Sequence, residues 1–154
     1  MPSDGNEFIA EATELSFWVG NWNLMDNHGK RVAAAVITSE HNGFMLHERW
    51  QAGKLPSGSS MVFFDPALKK WKQTTVTDTG EVGYYTGEFN NGAMRFEGEF
   101  VNADGSRGLR KRRLTPQQDD RVIGVVVQKS LDEGVSWQTE FRGRYEPRKP
   151  RLAL

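Results

Sequence analysis

The sequence predicts an all-β fold, an antiparallel meander of about ten strands that either closes into a barrel or splits into a sandwich. After residue 16 the helical spacing of apolar residues disappears, and short segments with strand-like alternation follow one another. Turn sequences rich in Asn, Asp and Gly separate these segments. No long helical pattern lies between the predicted strands, so the crossover connections of a parallel sheet are excluded.

The elements follow in order along the chain. Phe8, Ile9, Ala12 and Leu15 recur along one helix face, which predicts one short N-terminal helix over residues 7–16. The strands are predicted at residues 17–25, 31–39, 44–51, 59–64, 70–77, 81–89, 93–101, 107–115, 121–130 and 135–146. Turns are predicted at residues 26–29, 41–43, 78–80, 90–92, 103–105 and 132–134.

Composition excludes several classes of protein. The 154 residues suit a single domain, 1–154, in which residues 1–6 and 149–154 are expected to be flexible tails. The absence of cysteine excludes disulfides, thiolate metal sites and a thiol nucleophile. Because 20 basic and 20 acidic residues cancel, no charge footprint for nucleic acid or an anionic membrane is present. No membrane-helix or secretory-signal pattern is found, so a cytoplasmic protein is expected.

Alternation along the predicted strands separates an inward face from an outward face. The predicted inward set is strongly aromatic and contains Phe44, Trp50, Trp71, Phe96, Phe100, Trp137 and Phe141. An aromatic wall with a few convergent polar groups is typical of a small-molecule pocket, and the alternative is a filled barrel with internally bonded polar residues. The residues predicted to bind a ligand are Trp50, Trp71, Gln73, Thr75, Phe96, Trp137 and Thr139.

Glu48 is the strongest candidate for chemistry, because it shares the predicted apolar face with Leu46 and Trp50. Burial among apolar side chains favours the neutral form of a carboxyl group, the direction useful for a general acid or base. Two structural alternatives stay open. In the first alternative, Glu48 forms an internal ion pair with Arg110 or Arg112. In the second, its strand lies at an edge and the carboxylate is solvated.

A basic strand supplies further candidates, since five of the seven residues 107–113 are Lys or Arg. Arg110 and Arg112 share one face of it. The favoured interpretation is a charged strand that resists edge pairing. The sharper interpretation is that one arginine points inward, as a partner of Glu48 or as a clamp for an anionic ligand. Arg112 is the arginine selected as a candidate catalytic residue.

Tyr85 is a third candidate catalytic residue, as a group that would stabilise developing negative charge. One of the adjacent residues Tyr84 and Tyr85 is expected to point inward. Gly83 and Gly87 lie on the same face as Tyr85 and leave room for a ligand or, as the favoured alternative, for another ring.

Metal and cofactor sites are not predicted. His28, His41 and His47 lack the spacing of metal ligands. No G-x-S-x-G nucleophile elbow and no glycine-rich nucleotide motif occurs. The expected cofactor set is therefore empty, and the expected partner is a small hydrophobic or aromatic ligand.

Several motifs resemble, in their order, a bacterial lipocalin-like (calycin) family of uncharacterised function. The family has an F-x-x-G-x-W opening, E-x-W, a D-P turn followed by W-x-Q, then Y-x-G, and ends with S-x-D-x-G-x-x-W and a closing Y-x-x-R-like strand. The matching segments span most of the chain and are 17–22, 48–50, 65–66, 71–73, 85–87, 130–137 and 145–148. Phe64 stands where the family usually has Tyr, and Thr75 replaces a bulkier residue, which would enlarge the pocket.

The resemblance implies an antiparallel barrel with a pocket, but no activity. It also implies that Trp22 plugs one end of the barrel under an arginine of the last strand, Arg142 or Arg144. A homodimer would be compatible with such barrels, and nothing in the sequence sets the oligomeric state.

Three functions follow from these observations. The first is binding of a small, partly aromatic or polyketide-like molecule inside the barrel. The second is a cofactor-independent isomerase, cyclase or lyase that uses Glu48 as general acid or base, with Arg112 or Tyr85 opposing developing charge. The third is an interaction module with a filled barrel, whose partner contacts the basic strand.

Overall fold

Ten strands make up the fold in a computed structural model that describes residues 13–118 and 121–149. Strands β1 to β10 span, in order, Gly20–Asp26, Arg31–Glu40, Met45–Ala52, Gly58–Asp65, Lys70–Thr77, Val82–Asn90, Ala93–Val101, Arg107–Pro116, Ile123–Ser130 and Gln138–Pro147. Every strand pairs antiparallel with its neighbours along the chain, and β1 pairs with β10. The meander therefore closes into a barrel, and the sandwich alternative is wrong.

Turn chemistry shapes the hairpins as expected. Between β6 and β7, Asn91 and Gly92 both have positive φ, 49° and 76°, the backbone that a two-residue hairpin turn requires. Asn90 and Ala93 are then paired directly across the turn. All ten predicted strands are confirmed, with ends that shift by a few residues.

The N-terminal prediction is tested only in part, because residues 1–12 lie outside the described residues. The described part of the predicted helix leads into a 3₁₀ turn at Ser16–Trp18. The predicted tails also lie outside the described residues, except for Lys149. Within residues 13–118 and 121–149, no helix has the length and apolarity needed to cross a membrane.

Large apolar side chains fill the end of the barrel at which β1 begins, here called the packed end. Trp18, Trp22, Trp71, Leu114 and Ile123 are each 1% exposed or less. The indole N–H of Trp22 donates to the backbone oxygen of Trp18 at 2.8 Å, which satisfies a polar atom inside this core. The opposite end, here called the mouth, is bordered by the loops at residues 53–57 and 78–81.

The cation above Trp22 is not the one expected. The guanidinium of Arg121, which precedes β9, lies 5.6 Å from the Trp22 ring. The expectation of Arg142 or Arg144 is wrong because alternation along β10 turns Tyr145 inward and buries it. Arg144 accordingly lies on the outward side and pairs with Glu146 at 2.6 Å.

A β-bulge in β10 reverses the alternation on which the inward set depended. Thr139 pairs with Gln128, whereas Phe141 pairs with Val127, so Glu140 is the extra residue. One extra residue moves every side chain before it to the other face of the strand.

Trp137 and Thr139 consequently lie on the outer side of the barrel. The Lys111 ammonium is 4.1 Å from the centroid of the Trp137 ring, and Lys111 pairs with Gln128 across β8 and β9. Thr139 is exposed. The prediction that Trp137 and Thr139 face the interior is wrong, because a bulge interrupts a strand that the sequence shows as regular.

Candidate functional site

The mouth half of the barrel contains a cavity of about 240 Å³. The apolar part of its wall is formed by Leu24, Ala35, Trp50, Leu55, Pro56, Phe96, Val125, Val127 and Phe141. The polar part is formed by Glu48, Gln73, Thr75, Thr77, Glu81, Tyr85, Arg110, Arg112, Glu140 and Tyr145.

A larger depression of about 530 Å³ crosses the outer face of β5 to β9. Its charged lining is mostly basic, with Lys70, Arg95, Lys111, Arg112 and Arg113 against Glu88 and Glu97. It lacks the combination of an apolar wall and convergent polar groups that marks a ligand pocket. The interior cavity is therefore the candidate site.

Glu48 lies in this cavity, only 2% exposed, and accepts two hydrogen bonds. The Ser60 hydroxyl donates to Oε1 at 2.9 Å, and the Tyr145 hydroxyl donates to Oε2 at 3.2 Å. Burial, together with the negative charge of Glu48, raises the pKa of Tyr145 well above its usual range. Tyr145 thus remains a protonated donor toward Glu48.

Strand pairing explains this arrangement. Glu48 on β3 lies directly opposite Ser60 on β4, so both side chains share the inward face. Gln73 on β5 extends the chain of contacts, since its Nε2 donates to Ser60 Oγ at 3.1 Å. All these polar groups are buried and bonded, which removes most of the cost of placing them inside.

Arg112 completes the chain from the opposite wall. A terminal nitrogen of Arg112 on β8 donates to Gln73 Oε1 at 2.5 Å. Its guanidinium lies 5.4 Å from the Phe96 ring and 5.7 Å from the Trp18 ring. Its Nε is buried without a hydrogen-bond partner, and no ion pair joins it to any carboxylate in the described part of the chain.

Arg110 forms a separate cluster at the mouth. It contacts Glu81 at 2.5 Å, Glu140 at 3.2 Å and the Tyr85 hydroxyl at 3.0 Å, and it lies 4.2 Å from the Phe100 ring. Burial alone lowers the pKa of Arg110, but the Glu81 hydrogen bond and the surrounding negative charge outweigh it and raise that pKa.

Tyr85 stands between the two arginines. Burial raises its pKa, and the charge and hydrogen bond of Arg110 act against that rise. Because its oxygen accepts from Arg110, the phenol hydrogen is available to another acceptor.

Most of the residues selected from the sequence meet in the cavity. Those that line it are Glu48, Arg112, Tyr85, Trp50, Gln73, Thr75 and Phe96. Trp71 also points inward but belongs to the packed end, where it stacks edge-on against Phe64 at 5.4 Å. Trp137 and Thr139 do not line the cavity.

Three structural alternatives from the sequence are wrong. Neither Arg110 nor Arg112 forms an ion pair with Glu48 among the described residues, because Ser60 and Tyr145 occupy the carboxylate. Glu48 is not at a wet edge, since it is buried. β8 does not resist edge pairing either, because it pairs with both β7 and β9.

Sequence reasoning assigned no role to Glu81, Glu140 and Tyr145, which line the cavity, or to Ser60, which donates to Glu48. Alternation carried a usable signal for three of them, since Ser60, Glu81 and Tyr145 fall on inward faces of predicted strands. Glu140 occupies the bulge. Its inward direction follows from a local irregularity that no periodicity shows.

Comparison with known proteins adds no family to this geometry. No protein-family model matches the chain, and no curated protein matches it.

Proposed function

We propose that the barrel binds a small, partly aromatic or polyketide-like molecule in its interior cavity. The observation that carries this proposal is the cavity of about 240 Å³, in which an apolar wall faces fixed polar groups. Trp50, Val127 and Phe141 supply contact area, and Glu48, Gln73 and Thr75 supply orienting groups.

The finer family relation is part of the same proposal. Trp22 follows Gly20 at the start of β1 and is buried at the packed end beneath an arginine. This placement supports a lipocalin-like, calycin relationship, in which the closed end carries stability and the open end admits a ligand.

Native mass spectrometry of protein purified gently from its own cells tests the binding function. We expect a stoichiometric extra mass that is released on denaturation. Val127→Trp should abolish it, because the new ring fills the cavity that Val127 lines. Val126→Trp is the matched control, since Val126 borders the outer depression instead and should leave the extra mass in place.

If the spectrum shows only the mass of the unliganded protein, ligand-observed NMR with aromatic fragments at millimolar concentration is the next experiment. Binding that is equally strong in wild type and Val127→Trp would contradict an interior site. Thermal unfolding of both tryptophan variants checks that they are folded.

Catalysis in the same cavity is the second candidate, favoured by the burial of Glu48 between two hydroxyl donors. In this proposal Glu48 exchanges a proton with the substrate, and Tyr85 or Arg112 opposes developing negative charge. A positioned general base contributes about 10²–10⁴-fold in rate. Glu48→Gln should therefore remove turnover of any substrate found while leaving affinity within a few-fold; surviving turnover would exclude Glu48 as the base.

A further inference from the structure

The two inward-facing arginines are neutralised to different degrees. Arg110 contacts two carboxylates, those of Glu81 and Glu140. Among residues 13–118 and 121–149, Arg112 contacts no carboxylate, and its one hydrogen bond goes to the neutral amide of Gln73. The Nε atoms of both arginines lack a hydrogen-bond partner among the described residues. The two arginines therefore differ in the groups that contact their terminal nitrogens, which are carboxylates for Arg110 and an amide for Arg112.

Glu48 does not compensate Arg112. Its two oxygens accept hydrogen bonds from Ser60 and Tyr145, and no ion pair joins it to Arg112. A guanidinium carries five N–H donors, of which Arg112 uses one within the described part of the chain. Taking a cation partly out of water without an anionic partner is costly, so this position is suited to an anion supplied from outside the chain.

The position of Arg112 is fixed. Gln73 holds one end of the guanidinium, and the rings of Phe96 and Trp18 flank it. A planar guanidinium that is already oriented loses little freedom on binding and matches the two oxygens of a carboxylate.

We propose that Arg112 binds the carboxylate of the ligand, so that the ligand class is a small organic monocarboxylate. Its apolar body packs against Trp50, Val127 and Phe141 on the cavity wall. This inference rests on the proposed binding function and adds the charge of the ligand. A second anionic group is disfavoured, because Glu48, Glu81 and Glu140 also line the cavity.

Matched pairs of neutral and anionic probes test the inference. Benzoate and benzamide, phenylacetate and phenylacetamide, and cyclohexanecarboxylate and its amide differ mainly in charge. NMR titration should show that each carboxylate binds at least tenfold more tightly than its amide, a factor that corresponds to about 1.4 kcal/mol. Terephthalate, with a second carboxylate, should bind at least tenfold more weakly than benzoate. The indole N–H signal of Trp50, identified through Trp50→Phe, locates the probe at the cavity.

Arg112→Gln should weaken the binding of each carboxylate, so that its affinity comes to within about threefold of the affinity of the matching amide. Arg113→Gln is the matched control, because Arg113 is the next residue of β8 and is exposed on the outer side. Thermal unfolding checks that both variants are folded. If Arg112→Gln does not fold, Arg112→Lys replaces it; this variant keeps the charge without the fork and should reduce the preference.

The possible failures are distinct. Amides that bind as tightly as carboxylates at the Trp50 signal would overturn the monocarboxylate inference and leave the binding function standing. A preference that keeps its wild-type size in Arg112→Gln, or in Arg112→Lys where that variant replaces it, would likewise overturn it. Absence of any probe from the cavity would remove the proposed function and this inference together.

Discussion

The two ends of the barrel interior are built from the same kinds of residue and have opposite properties. At the packed end, Trp18, Trp22 and Trp71 fill the space completely and leave exposed fractions of 1% or less. At the mouth, Trp50 and Phe141 border a cavity and face charged groups. Aromatic content alone therefore does not distinguish a core from a binding site. What distinguishes them is whether neighbouring side chains fill the space that each ring leaves.

The largest expected effect concerns the packed end. Trp71→Ala should lower the free energy of unfolding by about 3–5 kcal/mol, because it removes a fully buried ring and leaves a cavity. Trp50→Ala, at the mouth, should cost roughly 1–2 kcal/mol, since its side chain is already partly exposed. Urea denaturation measures both. Equal losses would show that the mouth is as tightly packed as the opposite end.

The next effect tests the charged cluster at the mouth. Arg110→Met leaves Glu81 and Glu140 close together without their shared cation, and should cost about 2–3 kcal/mol. Arg107→Met is the control, because its pair with Glu99 lies at the surface, with 69% of the Arg107 side chain exposed, and should cost less than about 1 kcal/mol. Thermal or urea unfolding of the two variants compares them directly. If Arg107→Met is the more damaging, the cluster at the mouth is not a structural element.

A smaller effect tests how the Tyr85 ring is seated. A Cβ at Gly83 would lie 2.5 Å from both the Tyr85 ring and Thr75 Oγ1, so the ring fills the space that this glycine leaves. Gly83→Ala should cost about 1–3 kcal/mol and move Tyr85 in the cavity. Gly53→Ala meets nothing within 4 Å and should change stability by less than about 0.5 kcal/mol. A neutral Gly83→Ala would mean that the Tyr85 ring is free to move.

The smallest effect lies outside the barrel interior, in the surface loop after β9. Hydrogen bonds from the Ser136 hydroxyl, the Ser136 N–H and the Ser130 hydroxyl lower the pKa of Asp132 from 3.8 to about 2. Because the folded-state pKa is the lower one, the stabilisation is present above about pH 4 and is lost as the pH falls toward 2. Asp132→Asn should therefore be less stable than wild type at pH 5, with a difference that shrinks toward pH 2. Urea midpoints across this range measure it, and a constant difference would contradict the assignment.

The sequence was a good guide wherever the chain is regular. Alternation along β3 and β5 correctly turned Glu48 and Gln73 inward. Along β8 it placed Arg110 and Arg112 on one face without deciding whether that face is the inner one, and in the structure both line the cavity. It failed at Trp137 and Thr139, because the extra residue Glu140 moves the side chains that precede it in the strand to the opposite face. Bulges have no fixed periodicity, so inspection of the alternation alone does not reveal them.

The motif-based expectations divided in the same way. Trp22 is buried at the closed end as the resemblance implied, yet the cation above it comes from Arg121. Arg142 and Arg144 lie on β10, where Tyr145 points into the barrel. Because side chains alternate along a strand, both arginines point outward. The position of a partner in the folded chain depends on register and loop geometry, which lie beyond a local motif.

The sequence by itself determined the ten antiparallel strands, their turns and an interior that mixes aromatic and polar groups. These features depend on local periodicity and on turn residues, which act over a few positions of the chain. Only the tertiary structure decided that Glu48 is held by Ser60 and Tyr145, and that Arg110 is neutralised while Arg112 is not. The physical reason is that barrel closure brings together side chains distant in sequence, such as Glu48 and Tyr145, and no local pattern specifies which of them meet.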